Sequence, residues 1–131
     1  MTLVVDASVV VASLDPNQRG RWASDCLASA HLVAPHVMPV EVASALRRLV
    51  RGGSLQAAVG RDVLRDVALL GIDLYPFAPV GDRVWELRDN LTTYDAWYVA
   101  LAEAHDCPLA TLDHRLVAAA GPRCEFVTPQ G

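Results

Sequence analysis

A chain of 131 residues with a net charge of −4 and a sequence pI near 5.4 has room for one domain with a substantial core. Its acidity excludes tight, unaided binding of nucleic acid through a basic face. All 11 basic residues are arginine, which excludes a lysine Schiff base and a phosphate-binding loop of the Gly-Lys-Ser/Thr kind.

The hydrophobic fraction is 53% and aromatics contribute 6%, so the core is aliphatic and the chain reads as a compact α/β body. No apolar run reaches the length that crosses a bilayer, and the first residues lack the basic segment of a secretory signal. Cys26, Cys107 and Cys124 are odd in number and lack Cys-x-x-Cys spacing. A disulfide framework or zinc site is therefore not expected, and a reducing cytoplasm with no membrane association is.

In chain order, Leu3-Val4-Val5 reads as a strand buried on both faces, the pattern of a parallel sheet covered by helices. It ends in Asp6, at the edge where α/β sheets bind ligands. A short helix follows over Ala7–Ser13 and stops near Asp15-Pro16. Arg19–Ala30 has helical spacing through Trp22, Ala23, Cys26 and Leu27. His31–Pro35 is a second strand. Pro39 opens a helix that runs to Arg51 and ends at Gly52-Gly53; Val42, Ala45, Leu46, Leu49 and Val50 form its inward stripe.

Ser54 is expected to cap the next helix, which runs to Leu70. Ile72–Pro76 is a strand placed at a sheet edge by its proline. Val80–Leu91 reads as a helix with Val84, Leu87 and Leu91 on one face. Thr92 or Thr93 caps a helix over Tyr94–Ala104, in which Trp97 and Tyr98 are read as packing residues. Pro108–Asp113 repeats the opening theme of an apolar strand ending in aspartate. His114–Ala120 is a helix, and Glu125–Thr128 a last strand. Strands alternating with helices imply a parallel sheet.

Four carboxylates stand in comparable places: Asp6 and Asp113 end strands, while Glu41 and Asp95 begin helices. Each has an ordinary explanation, since aspartate is a favoured N-cap and acids suit the first helical turn. Strand ends and the starts of following helices share one rim, however, so the four are expected to meet. Crowded carboxylates repel unless a cation compensates, and an all-oxygen set suits Mg²⁺, with Mn²⁺ as a substitute. Such a site acts on phosphate esters. These residues leave open whether the substrate is RNA, DNA or a small phosphate.

The segments Leu3–Ser8, Pro39–Arg48, Leu91–Ala96 with Tyr98–Ala102, and Leu112–Leu116 together resemble the motif regions of PIN-domain proteins. The resemblance is to the VapC-type toxins of type II toxin–antitoxin systems. It implies a single PIN domain over residues 1–131: a three-layer α/β/α sandwich around a central, mainly parallel sheet of four to five strands. It also implies a Mg²⁺- or Mn²⁺-dependent endoribonuclease. By position Asp6, Asp95 and Asp113 are the metal ligands, and Glu41 acts through water. Ser8 and Thr111 match accessory hydroxyl positions. The implied partners are a cognate VapB-type antitoxin, a second toxin protomer, larger toxin–antitoxin hetero-oligomers and an RNA substrate (transfer or ribosomal RNA). Arg47, Arg48, Arg51, Arg88 and Arg115 are the candidates for RNA phosphate contacts.

Other readings compete. A metal-dependent phosphatase of the haloacid-dehalogenase kind needs aspartate where Ser8 stands. A phosphoacceptor domain needs a lysine that the chain lacks. A catalytically idle interaction module would use the acidic pocket only to hold a partner's arginine.

Overall fold

Three aliphatic residues in a row leave the first strand no polar face, and the fold buries both of its sides. The structure is a computed structural model and describes residues 1–130. Strand β1 (Thr2–Val5) lies at the centre of a five-stranded sheet with β2 (His31–Pro35), β3 (Asp73–Tyr75), β4 (Leu109–Ala110) and β5 (Phe126–Val127), in the order β3-β2-β1-β4-β5. Every neighbouring pair is parallel. The chain first builds outward from β1 through β2 to β3, then crosses back to lay β4 and β5 on the other side. The direction of winding thus reverses between β1 and β4, and such a reversal opens a crevice beyond the strand ends.

Side chains alternate across the sheet as strand geometry requires. Leu3, Val5 and Leu32 face one side, where Val9 and Ala12 of α1 (Ala7–Ala12) and Ala23 and Cys26 of α2 (Gln18–Ser29) cover them. Val4 and Val33 face the other side, beneath α3 (Met38–Arg51), α5 (Gly81–Glu86) and α6 (Thr93–Ala104). The result is the three-layer α/β/α sandwich that the family resemblance implies. Two further helices, α4 (Ala57–Leu69) and α7 (His114–Ala118), complete the chain. Helix α6 runs through the core, with Tyr98 to Ala102 all buried, which explains its near-continuous apolar sequence. No helix is long and apolar enough to cross a membrane.

The element boundaries differ from the sequence reading in three places. Helix α4 begins at Ala57 after Gln56, without a side-chain cap, so Ser54 belongs to the preceding turn, where its N–H bonds Leu49. The expected helix over Val80–Leu91 is a 3₁₀ turn (Ala78–Val80), then the short α5, then further turns. The Leu87 N–H is shared between the carbonyls of Arg83 and Val84, a bifurcated pattern typical of a helix end. Helix α7 stops at Ala118, ahead of Gly121, whose φ of 110° lies outside the range open to most residues. The edge position foreseen for the strand before Pro76 is the one that β3 occupies.

One ion pair joins α5 to α6 and ties both to the loop before the last strand. Arg83 of α5 donates from Nε to Glu103 Oε1 at 2.7 Å and from a terminal nitrogen to the Gly121 carbonyl at 2.8 Å. Glu103 also accepts the Arg123 N–H at 2.8 Å. Burial pushes the Glu103 carboxyl up, but the Arg83 hydrogen bond, the Arg123 N–H and the two guanidinium charges outweigh it and hold it below its ordinary value. Arg83→Met is expected to lower stability by about 1–3 kcal/mol in a urea melt. Because the folded-state value is depressed, the contribution is present at neutral pH and lost as pH falls through it. The gap between Arg83→Met and the parent chain should therefore narrow in acid.

Candidate active site

The crevice is assembled from short local decisions. Asp6 follows β1 directly and caps α1, with Oδ1 accepting the Ser8 N–H at 3.3 Å. The capping role is real, yet it uses one oxygen. The other, Oδ2, accepts the Thr111 hydroxyl at 2.8 Å. Thr111 is fully buried, and its Oγ1 also accepts the Asp113 N–H at 3.0 Å. A single hydroxyl therefore links the carboxyl ends of β1 and β4. The Ser8 hydroxyl adds a second link by accepting the Leu112 N–H at 3.3 Å. Asp113 caps α7 through the N–H groups of Arg115 and Leu116.

Glu41 and Asp95 approach the crevice from helix starts. Pro39 sits in the first turn of α3 and leaves Glu41 as its acidic first-turn residue. Thr92 caps α6 by accepting the Asp95 N–H at 3.1 Å. The Tyr98 hydroxyl lies near enough to oppose the rise in the Glu41 carboxyl. Even so, neither it nor Glu41 Oε1 completes a hydrogen bond, and both atoms are buried. A buried carboxylate oxygen without a partner is costly.

The four acids form one electrostatic group. Burial raises Asp6, opposed by Thr111 and Ser8 and reinforced by Asp113. Burial raises Glu41, and repulsion from Asp6 and Asp95 adds to it. Burial raises Asp95, with Asp6 and Asp113 repelling it further. Three carboxyls are thus pushed up, each by desolvation first and by a like charge as well. Raised folded-state values mean that the ionised acids destabilise the metal-free fold at neutral pH, and that this cost fades as pH falls. Asp95→Asn is expected to raise the melting temperature of the metal-free protein by a few degrees at neutral pH. The increment should shrink toward pH 4, and no increment at neutral pH would contradict the repulsion.

Among the described residues, no group of three or more His, Cys, Asp and Glu side chains is arranged to hold a metal ion. The donor chemistry nonetheless fits a hard divalent cation. All candidates are carboxylate oxygens, Glu41 Oε1 is buried without a partner, and Mg²⁺ is commonly bound through one or two carboxylates with the remaining positions filled by water.

The arginines divide by location. Arg48 lines a cleft of about 420 Å³ together with Asp6, Ser8 and Glu41. Arg47 and Arg51 instead line a groove between α3 and α4. Arg88 lies over the Trp85 ring, 4.9 Å from its centroid, and donates to the Trp85 carbonyl. The Arg115 backbone N–H joins the Asp113 cap. The sequence reading missed Arg19, which shares the Asp6 cleft. The available signal was topological: α2 follows α1 after a short turn, so its first residues return to the end of the sheet from which α1 left.

An all-parallel sheet with acids at its winding reversal and at two helix starts defines a carboxylate-lined α/β class. The chain belongs to the PIN-domain family, whose pattern it matches over residues 3–122, within the branch of VapC ribonucleases. It is 44% identical over 114 residues to the VapC ribonuclease Mb0985 of Mycobacterium bovis, covering 87% of each chain. It is 41% identical over 129 residues to the ribonuclease VapC1 of Mycobacterium tuberculosis, covering 94% of each. Among solved structures, VapBC2 from Rickettsia felis bound to a promoter DNA fragment superposes with a TM-score of 0.71 at 13% identity, over 99% of this chain and 100% of that one.

Proposed function

We propose that this chain is the toxin of a type II toxin–antitoxin pair, a Mg²⁺-dependent endoribonuclease that hydrolyses RNA phosphodiester bonds in the cytoplasm and is restrained by a VapB-type antitoxin. The relatives named as VapC ribonucleases support the activity. The reading rests on Asp6 and Glu41 lining one cleft and on Thr111 joining Asp6 to the Asp113 backbone, with like-charge repulsion tying Asp95 to the same group. Asp6 and Asp95 would be the principal ligands of the ion, Asp113 would meet it directly or through water, and Glu41 would meet it through water. Mn²⁺ could replace Mg²⁺ with the same oxygen donors. When bound, the ion supplies Lewis-acid polarisation of a phosphoryl oxygen and a more acidic water.

The protein's own part is positioning. Thr111 fixes the orientation of Asp6, and its acceptor side fixes the chain at Asp113. Glu41 would orient a water and take a proton from it. The antitoxin would act by charge: a guanidinium can occupy a carboxylate site and exclude the cation. The protomer works as one PIN domain over residues 1–131. A homodimer and larger toxin–antitoxin assemblies belong to the same proposal, as does transfer or ribosomal RNA as substrate.

The test uses purified, antitoxin-free protein and structured RNA, with Mg²⁺ or with excess chelator. Cleavage is expected only with the cation, and Mg²⁺ should also raise the melting temperature at neutral pH. Equal cleavage under chelation would overturn the metal assignment. Binding of an arginine-rich peptide with no cleavage under any condition would favour the idle interaction module.

A further inference from the structure

The cleft at Asp6 does not end at Arg19. That residue also lines a second cleft, of about 680 Å³, with Gln18, Trp22, His114, Thr128 and Gln130. One arginine is thus common to two adjoining hollows, and His114 of the second directly follows Asp113 of the acidic rim. Arg19 is exposed and makes no salt bridge among the described residues. Its guanidinium is free to take a phosphate.

Trp22 is the unusual member of this wall. It lies at a core spacing in α2, and it packs against the side of the core formed by Leu3, Val9 and Leu32. It is nevertheless only partly buried, and the rest of its surface lines the second cleft. An indole held from behind by the core, beside a free guanidinium, is the pairing that binds a single-stranded nucleotide: the ring stacks on a base and the cation meets the backbone. Trp97 and Tyr98 do not offer this. Tyr98 is buried in the core, and Trp97 packs edge-on against Phe77.

We propose that the acidic cleft continues past Arg19 into a second subsite, where an unpaired base flanking the scissile phosphate stacks on Trp22 while Arg19 holds the phosphate between them. The inference rests on the ribonuclease reading, because it requires a nucleotide chain running out of the Asp6 cleft. It adds the route that the chain takes, and it makes an unstacked base part of what the enzyme selects.

The experiment measures binding, not cleavage. Full-length protein carrying Asp6→Asn is titrated, with Mg²⁺ present, against a labelled single-stranded adenosine octamer and against an octamer of the same backbone without bases. The subsite should favour the base-bearing strand by roughly 5- to 150-fold, the range for one base stacked on an aromatic ring. Trp22→Leu should remove that preference, and Trp22→Phe should restore most of it while guarding against a folding defect. Arg19→Ala should weaken both strands alike and reduce the slope of log affinity against log salt by about 0.7. Retention of the full base preference by Trp22→Leu would overturn the subsite and leave the ribonuclease reading intact. Binding of neither strand, together with no Mg²⁺-dependent cleavage by the parent protein, would overturn both.

Discussion

Asp6→Asn is expected to lower the cleavage rate at least about a thousandfold, equivalent to roughly 4 kcal/mol of transition-state stabilisation, while leaving the fold in place. The side chain keeps its shape, and its remaining oxygen can still accept the Ser8 N–H that defines the cap of α1. What it loses is the charge at the meeting point of β1 and β4. Because Asp6 is raised by burial and by Asp113, removing that charge relieves repulsion, so the melting temperature of the metal-free variant should not fall. Single-turnover cleavage and thermal melting on the same preparation separate the two effects. Thr111→Val is the companion substitution. It preserves volume but deletes the hydroxyl that orients Asp6 at 2.8 Å, and an outer-shell loss of that kind is worth about 10- to 100-fold. Cleavage by Asp6→Asn within tenfold of the parent chain would remove Asp6 from the chemistry.

The largest expected loss of stability comes from a position with no side chain. A methyl group at Gly20 would lie 1.8 Å from the Asp15 carbonyl oxygen and 2.8 Å from the Ala12 carbonyl oxygen. Both obstacles are backbone, so no rotamer change relieves them. Gly20→Ala should destabilise the protein by about 3 kcal/mol or more, through overpacking that forces α2 away from the turn after α1. The same substitution at Gly60, inside α4, meets only side chains at 3.6 and 3.7 Å. There it should stabilise by roughly 0.5–1 kcal/mol through helix propensity. Chemical denaturation of the two variants gives the comparison, and similar midpoints would contradict the close approach at Gly20.

Gly20 also shows where a sequence stops being informative. The strands ending in Asp6 and Asp113 were legible because both-face burial leaves a continuous aliphatic signature, and the helix starts at Glu41 and Asp95 because proline and threonine mark them. Nothing local shows that Gly20 touches the Asp15 carbonyl, because that contact depends on how two helices fold back on each other. The single helix expected over Val80–Leu91 failed for a related reason. Its apolar spacing is helical and does bring Val84 and Leu87 to the core, but the helix ends at Glu86 and gives way to turns. Thr111 was marked as an accessory hydroxyl by resemblance alone, since nothing local says that it meets an acid 105 positions earlier. The arginines were the least legible. Charge and helix face do not say which arginine borders a cleft, and Arg19 was passed over while Arg47 and Arg51 proved to line a different groove.

The strand order β3-β2-β1-β4-β5 has a consequence for the order in which the acidic rim can be assembled. Asp6 leaves the ribosome before its neighbour β4, whose end supplies Thr111, 105 positions further along, and Asp113. Until that strand docks beside β1, the first aspartate lacks its orienting hydroxyl and the rim lacks its fourth charge. A polypeptide that stops short of β4 is therefore expected to lack the assembled rim, and a long-range parallel pairing of this kind is intrinsically slow to form.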